Sequence, residues 1–142
     1  MTKNLVFLDN GGDGYTAARH LALLGYNPAV MYTKKPEKEH FRGLIAACEA
    51  HDIKVLDYSQ DTELSENFEA KVNTYDLVLD ALFGFSFKGP IREPYDKIIK
   101  TLKVTKPPIF SIDIPSGWDV EAGFCATISL LNRLIRQHER SF

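Results

Sequence analysis

The sequence predicts an α/β fold, a doubly wound and mainly parallel sheet with helices on both faces. Three observations lead to this prediction. Short apolar runs alternate with helical patterns along the chain, which is typical of strands joined by crossover helices. The run 77–82 is almost wholly apolar, as a parallel strand covered on both faces is. Glycine-rich or polar segments follow several of the runs, where strands would end.

The first half of the chain alternates strand and helix. The apolar run 5–8 predicts a buried strand. Residues 15–24 carry apolar side chains on one helical face, and Gly25 stands where a helix C-cap belongs. The run 29–32 predicts a second strand. Residues 36–51 predict a helix, because a proline opens the segment and apolar residues recur in it at helical spacing.

The second half continues this alternation. Residues 53–56 predict a third strand, and the polar segment 63–72 predicts an exposed helix. The run 77–82 is the fourth predicted strand, 94–102 a short helix and 109–114 the fifth strand. In such sheets ligands bind beyond the carboxyl ends of the strands, where the strand order switches. The loops that follow the strands are therefore expected to lie on one edge.

Composition and charge argue against several classes of protein. The 142 residues predict one domain over 1–123 and a helical tail over 124–142. A net charge of −2 with scattered basic residues gives no support for a nucleic-acid surface. No apolar run approaches the ~20 residues of a membrane span, and no targeting segment is visible. Cys48 lies on an apolar helical stripe, which predicts a buried thiol and an intracellular location in cytoplasm or mitochondrion.

Oxygen-bearing side chains follow or end the predicted strands. Asn10, Asp80 and Ser116 offer hard ligands that suit an alkali or alkaline-earth cation. Turn chemistry explains Asn10 and Ser116 better when each is taken singly. Asp80 interrupts an apolar strand, where a carboxylate must be paired, hydrogen-bonded or bound to metal. Asp113 also interrupts an apolar run, and either binds a ligand or caps the turn that follows.

Two glycine-rich loops are candidate binding segments. The loop Asn10-Gly-Gly-Asp-Gly14 lies between a strand and a helix, the arrangement that aims backbone N–H groups at an anion. Asp13 is expected to act mainly as the helix N-cap. The segment 84–90 contains two phenylalanines and Lys88. The rings either stack on a planar ligand, with Lys88 meeting a phosphate, or fold back into the core.

Three motifs together resemble the NAD(P)HX epimerase family, which is the YjeF N-terminal domain, also called apolipoprotein A-I-binding protein. They are NGGDG, DALFGFSFKG and SIDIPSGWDV, and the resemblance covers roughly residues 10–123. It implies a Rossmann-like fold and an isomerase that interconverts the R and S forms of hydrated NADH and NADPH in cofactor repair. A catalytically impaired binding or scaffold module is the alternative, because some family members resemble scaffolds.

The resemblance also implies the residues of the site. Asp113 would be the catalytic group, and Asn10, Asp80 and Ser116 would bind a potassium ion. Hydrated NADH or NADPH is then a substrate rather than a cofactor. A homodimer is compatible with the family, and its alternative name implies an apolipoprotein A-I-like partner. The implied substrate contacts are Asp9, Asn10, Gly11, Gly12, Asp13, Gly84, Phe85, Ser86, Phe87, Lys88, Gly89, Pro90 and Asp113.

The chain departs from the family pattern at two positions of the site. Family members usually have G-P-G-N before N-G-G-D-G, whereas Asp9 here places an anion where an amide is expected. Asp9 should therefore oppose the substrate phosphates and weaken their binding. Pro90 stands where an aspartate is common. The family's N-terminal helices and final strands have no evident match, so we expect a truncated or alternatively spliced product.

Overall fold

The computed structural model of this protein describes residues 2–10 and 12–117. The predictions for Gly11 and for the tail 124–142 lie outside the described residues. Strands and helices alternate along the described chain as the sequence predicts. In chain order they are β1 (Asn4–Asp9), α1 (Asp13–Leu23), β2 (Asn27–Tyr32), α2 (Glu39–Glu49), β3 (Lys54–Asp57), α3 (Thr62–Glu66), α4 (Phe68–Val72), β4 (Leu77–Ala81), α5 (Tyr95–Leu102) and β5 (Ile109–Ser111).

The described strands form one parallel sheet in the order β3-β2-β1-β4-β5. The central strand β1 pairs with β2 up to Asp9 opposite Tyr32, and with β4 up to Asp9 opposite Ala81. The chain runs outward from β1 to β3 and then returns to β4 on the other side of β1. The strand order therefore switches between β1 and β4, and the carboxyl ends of these two strands flank the switch.

Helices cover both faces of the sheet, because alternate residues of β1 point to opposite sides. Leu5 and Phe7 belong to a core with Tyr15, Ala18 and Cys48 of helices α1 and α2. The other face of β1 packs with side chains of α3, α4 and α5. This arrangement confirms the predicted Rossmann-like α/β fold, and the Cys48 thiol is fully buried as predicted. Every helix within the described ranges is too short or too polar to cross a membrane.

The prediction of one exposed helix over 63–72 is wrong in two respects. Asn67 has φ −108° and ψ 30°, so the segment divides into α3 and α4. Leu64, Phe68 and Val72 are all buried in the core. Their spacing of four residues aligns them on one side of both helices, and the charged residues between them concealed this narrow apolar stripe.

Two other boundaries differ from the prediction. Lys38 has an extended backbone, so α2 begins at Glu39 rather than at Pro36. Strand β5 ends at Ser111 rather than at residue 114. Asp113 lies beyond the strand, in a turn where its φ is 72°. The apolar residues on either side of Asp113 imitate a strand in the sequence, although they belong to this turn.

Phe68→Ala tests the buried packing of α4. The Phe68 side chain is 3% exposed, and its ring meets that of Tyr58 edge-on with centroids 5.5 Å apart. We expect the cavity left by the substitution to lower the free energy of unfolding by about 3–5 kcal/mol. The exposed neighbour Glu69→Ala is the control, with an expected change below about 0.5 kcal/mol. Urea denaturation followed by circular dichroism measures both, and equal midpoints would contradict the burial of α4.

Candidate functional site

The loops after β1, β4 and β5 meet at the carboxyl edge of the sheet. The backbone N–H of Asn10 donates to the carbonyl oxygen of Ala81 at 3.4 Å, which joins the first loop to β4. The N–H of Ile112 donates to the carbonyl oxygen of Asp80 at 2.8 Å, which joins the turn after β5 to the same strand. Segments far apart in the sequence are thus brought together at the switch in strand order.

Asp80 is fully buried at the end of β4. Its Oδ2 accepts hydrogen bonds from the backbone N–H of Ser116 at 2.8 Å and from the hydroxyl of Ser111 at 3.2 Å. Its Oδ1 accepts from the Ser116 hydroxyl and, at 3.3 Å, from the N–H of Leu82. Burial raises the pKa of the Asp80 carboxyl above its ordinary value, and these hydrogen bonds oppose the shift.

Ser116 connects Asp80 to the loop after β4. It is 1% exposed, and its hydroxyl oxygen accepts the N–H of Phe83 at 3.0 Å while it donates to Asp80. Asn10 is held from another direction, since the Tyr95 hydroxyl donates to its Oδ1 at 2.8 Å. The Tyr95 ring also lies against Phe83, with centroids 4.9 Å apart. The sequence carries no sign of this role for Tyr95, which begins helix α5.

The predicted potassium ligands form an oxygen-rich region at this edge. Within the described residues, the hydrogen bonds to the Asp80 carboxylate come from neutral N–H and O–H groups, so no cation offsets its charge. The side chains of Asn10, Asp80 and Ser116 carry hard oxygen ligands of the kind that an alkali cation takes, and a cation bound by Asp80 would replace some of the four hydrogen bonds that its carboxylate accepts. Between residues 2 and 117, apart from Gly11, no group of three or more His, Cys, Asp or Glu could hold a metal.

Asp9 has a structural role that the sequence did not reveal. It is fully buried at the end of β1, and its Oδ2 accepts the N–H of Gly12 at 3.0 Å. Its Oδ1 accepts the N–H of Gly14, in the first turn of α1, at 3.2 Å. The predicted N-cap role of Asp13 is wrong: Gly12 is the N-cap residue, with φ 99°, and Asp13 is the first helical residue. The helix end is capped from the preceding strand.

The glycine loop therefore aims N–H groups at an anion, as predicted, but for Gly12 and Gly14 that anion is the carboxylate of Asp9. A negative charge at a helix N-terminus is stabilised by the helix dipole. Asp9 takes the position that a ligand phosphate would occupy in the predicted arrangement. Its carboxylate therefore shapes the loop, and the predicted repulsion of phosphates by its negative charge stays a prediction.

Asp113 lies in an exposed turn rather than in a buried strand, so the burial argument for its role was wrong. Its Oδ2 accepts the N–H of Phe85 at 2.6 Å. A Cβ on Gly84 would lie 2.9 Å from that same oxygen, so a side chain at residue 84 would displace the Asp113 carboxylate. The turn after β5 is thereby fixed against the loop after β4.

For the two phenylalanines of the loop after β4, the predicted alternatives were stacking on a ligand or packing into the core, and each alternative fits one of them. Phe85 is 64% exposed, as a stacking surface would be. Phe87 is half-buried and stacks on Phe83, with centroids 4.2 Å apart and an angle of 29° between the rings. The other substrate contacts implied for this loop, apart from Gly84, lie at the surface and are Ser86, Lys88, Gly89 and Pro90.

A cavity of about 250 Å³ opens beside the glycine loop. Asp9 and Asn10 contribute to it, but most of its lining was not predicted as part of the site. Tyr32 forms part of the wall, and burial raises its pKa to about 12, helped by the hydrogen bond it donates to Asp57 at 2.8 Å. The other lining residues are Tyr15, Lys34, Lys35, Pro36, Glu37, Lys38, Phe41 and Tyr95.

The profile of the family described as YjeF-related protein N-terminus matches residues 8–133. The chain belongs to this family. A YjeF-family resemblance was predicted from motifs that end near residue 123, and the match extends beyond them. The described part of this YjeF domain contains the buried Asp80 network and the exposed Asp113 on one edge of its sheet.

Two solved structures are similar to this YjeF domain. The yeast protein YNL200c is 38% identical with a TM-score of 0.70, and the match covers 84% of this chain and 50% of that chain. This chain therefore spans about half the length of the yeast protein. A dipicolinate synthase polypeptide from Bacillus halodurans is 15% identical with a TM-score of 0.53, over 94% of this chain and 36% of that one. The second likeness shows the fold alone.

Gly14→Ala tests the anchoring of the glycine loop. A Cβ at residue 14 would lie 2.9 Å from Oδ1 of Asp9 and 3.0 Å from its Cγ. We expect the displaced carboxylate to lower the free energy of unfolding by about 1–3 kcal/mol. Gly43→Ala is the matched control, because its Cβ meets nothing within 4 Å on helix α2, and it should gain about 0.5–1 kcal/mol. If thermal denaturation showed the same gain for both, the tight contact with Asp9 would be refuted.

Proposed function

We propose that this chain is an NAD(P)H-hydrate epimerase, an isomerase that interconverts the R and S forms of hydrated NADH and NADPH. Its YjeF family membership supports the proposal. The observation that carries it is the placement of Asp113. An exposed carboxylate is held at 2.6 Å by the backbone N–H of Phe85, itself an exposed residue, at the edge of the sheet where such folds bind ligands.

Epimerisation requires the site to let one bond of the substrate break and form again. The ring carbon that carries the added hydroxyl must lose its C–O bond and regain it on the opposite face. A proton is delivered to the departing oxygen and removed from the returning water. In this proposal one oxygen of Asp113 is fixed by Phe85, and the other exchanges that proton. General acid–base catalysis of this kind contributes about 10²–10⁴-fold to a rate.

The exposed ring of Phe85 would orient the reacting end of the substrate. Phe85 is 64% exposed, and its backbone N–H is bonded to the Asp113 carboxylate. Aromatic rings of this kind stack on flat ligand groups and exclude water from one side of them. Phe87 supports this loop from within through its stacking on Phe83. The carboxylate and the ring therefore form one unit, because the backbone of Phe85 binds Asp113.

A potassium ion would be held by Asn10, Asp80 and Ser116 in this proposal. When bound, it would supply a positive charge close to the substrate phosphates and to the buried carboxylate. The protein's own contribution is to hold the oxygen ligands in place. The Ser116 hydroxyl donates to Asp80, and the hydroxyl of Tyr95 fixes the amide of Asn10.

A binding or scaffold module without catalysis is the second candidate function. The observation that favours it is Asp9, whose carboxylate takes the amides of Gly12 and Gly14 that a phosphate would need. Pro90 adds to it, because it stands at an exposed loop position where the family commonly has an aspartate. Such a module would bind a dinucleotide or another ligand at the same edge without inverting any carbon.

Asp113→Asn tests the proposed chemistry. Asparagine tolerates positive φ and keeps an acceptor for the N–H of Phe85, so the fold should survive while proton exchange is lost. We expect kcat/KM for epimerisation to fall by about 10²–10⁴-fold. The assay starts from one epimer of hydrated NADH with potassium present and follows the other by chiral chromatography.

Asp52→Asn is the matched control, since Asp52 is also an exposed aspartate with positive φ, at 56°, in the turn before β3. It should leave the rate unchanged. Unaltered turnover in Asp113→Asn would remove the catalytic role of Asp113. Binding of the hydrate without turnover in the wild-type protein would favour the scaffold function.

A comparison of salts tests the potassium site. We expect potassium chloride to raise the melting temperature above that in choline chloride of equal ionic strength, by the equivalent of about 1–3 kcal/mol near saturation. Asn10→Ala should reduce this difference because it removes one oxygen ligand. Asn27→Ala is the control, since Asn27 is an exposed asparagine at the amino end of β2, and it should leave the difference unchanged. Identical melting temperatures of the wild-type protein in both salts would exclude the site.

A further inference from the structure

A cluster of basic side chains stands beside the candidate site and has no role in the function proposed above. Lys34 and Lys35 follow β2 after one intervening residue, and Lys38 immediately precedes α2. All three line the cavity of about 250 Å³ that also contains Asp9 and Asn10. We call these three residues the β2 lysine cluster. It places positive charge next to the edge where the ligand is expected.

The segment that carries the cluster also borders a second depression. This one has a volume of about 410 Å³, and Arg42, Ser59 and Gln60 line it together with Lys34 and Lys35. The guanidinium of Arg42 and the amide of Gln60 can donate hydrogen bonds to phosphate oxygens, whereas the hydroxyl of Ser59 already donates to Asp57. The two depressions meet along residues 34–37, so an anion placed there would lie among donors from both sides.

The acidic groups near the cluster offset only part of its charge, since Lys34, Lys35, Lys38 and Arg42 carry four positive charges against three on Glu37, Asp57 and Asp9. Glu37 lines both depressions and lies 4.0 Å from the ammonium of Lys34, with both side chains more than three-quarters exposed. Such an exposed pair contributes little, about 0–1 kcal/mol. The carboxylate of Asp57 is engaged by the hydroxyls of Tyr32 and Ser59. Asp9 is buried and turned toward the amides of its own loop.

The place of the cluster in the fold indicates which phosphate it would meet. In dinucleotide-binding α/β domains, a residue about 20 positions after the glycine loop, near the end of the second strand, reads the ribose 2′ position. An acidic residue there binds a 2′-hydroxyl, whereas a basic residue accommodates a 2′-phosphate. This chain has Tyr32-Thr-Lys-Lys35 at that place. The basic alternative is therefore the one that it presents.

We propose that the β2 lysine cluster binds the ribose 2′-phosphate and makes hydrated NADPH the preferred substrate over hydrated NADH. This inference rests on the proposed function, because it selects between the two substrates named there. A 2′-phosphate adds about two negative charges to the ligand at neutral pH. The cluster gains from that added charge, while contacts at Asp113 and Phe85 are the same for both substrates.

The test compares binding of the two hydrated dinucleotides to the wild-type protein and to Lys34→Ala/Lys35→Ala. We expect the wild-type protein to bind hydrated NADPH about tenfold more tightly at low salt, which is the size of one or two charge-assisted contacts near solvent. The double variant should lose that preference and keep its affinity for hydrated NADH. Added salt should reduce the preference, because exposed charges are screened.

Lys54→Ala is the matched control for loss of a surface lysine. Lys54 begins β3, at the opposite edge of the sheet, and is exposed. It should leave both affinities unchanged. Equal wild-type affinities for the two dinucleotides, or a preference that survives in the double variant, would overturn the inference.

A second pair of ligands tests the lysine cluster independently of the proposed epimerase function. Adenosine 2′,5′-bisphosphate and adenosine 5′-monophosphate differ only in the 2′-phosphate and carry no nicotinamide ring. If neither hydrated dinucleotide binds, the proposed function fails, and these two probes still examine the cluster. Tighter binding of the bisphosphate to the wild-type protein, lost in the double variant, would support the cluster as a 2′-phosphate site. Equal binding of both nucleotides would refute it.

Discussion

The buried carboxylate of Asp80 is the interaction on which the candidate site depends. It receives hydrogen bonds from Leu82, Ser111 and Ser116, which belong to the loop after β4, to β5 and to the turn beyond β5. Without these donors a fully buried charge would be strongly unfavourable. The turn after β5 is thus held close to β4, where Asp113 reaches the backbone of Phe85. Burial of one charge therefore organises residues that themselves stay exposed.

Asp9 organises the other half of the edge in the same manner, but with a different consequence. It collects the N–H groups at the start of α1 and gives the glycine loop its shape. The same hydrogen bonds consume the donors that a phosphate would use at that helix end. The site accordingly combines two internal anions, which set the geometry of its loops, with lysines on the far side of its cavity. The positive charge at this edge therefore lies on side chains rather than at the helix end.

The fold could be predicted from the sequence because alternating apolar runs and helical apolar stripes indicate which side chains of the strands and helices are buried. The importance of Asp80 could also be predicted, since an acid within an apolar strand demands partners. The role of Asp9 could not, because its partners are backbone amides, which leave no mark in a sequence. The isoleucines on either side of Asp113 predict a strand, but both isoleucines lie in the turn that follows β5. Lys34, Lys35 and Lys38 lie within five residues of the sequence, but only the fold shows that they line a cavity beside the glycine loop.

Gly84 carries a consequence that reaches beyond this chain. Its missing side chain is what allows the carboxylate of Asp113 to reach the backbone N–H of Phe85, since a Cβ would stand 2.9 Å from the carboxylate oxygen. A single methyl group would separate the two loops locally, while the Asp80 network beneath them stayed in place. The residue at this position is therefore a diagnostic that can be read in any related sequence. Glycine leaves room for the contact between Asp113 and Phe85, and a larger residue would predict a different arrangement of these two loops on an unchanged sheet.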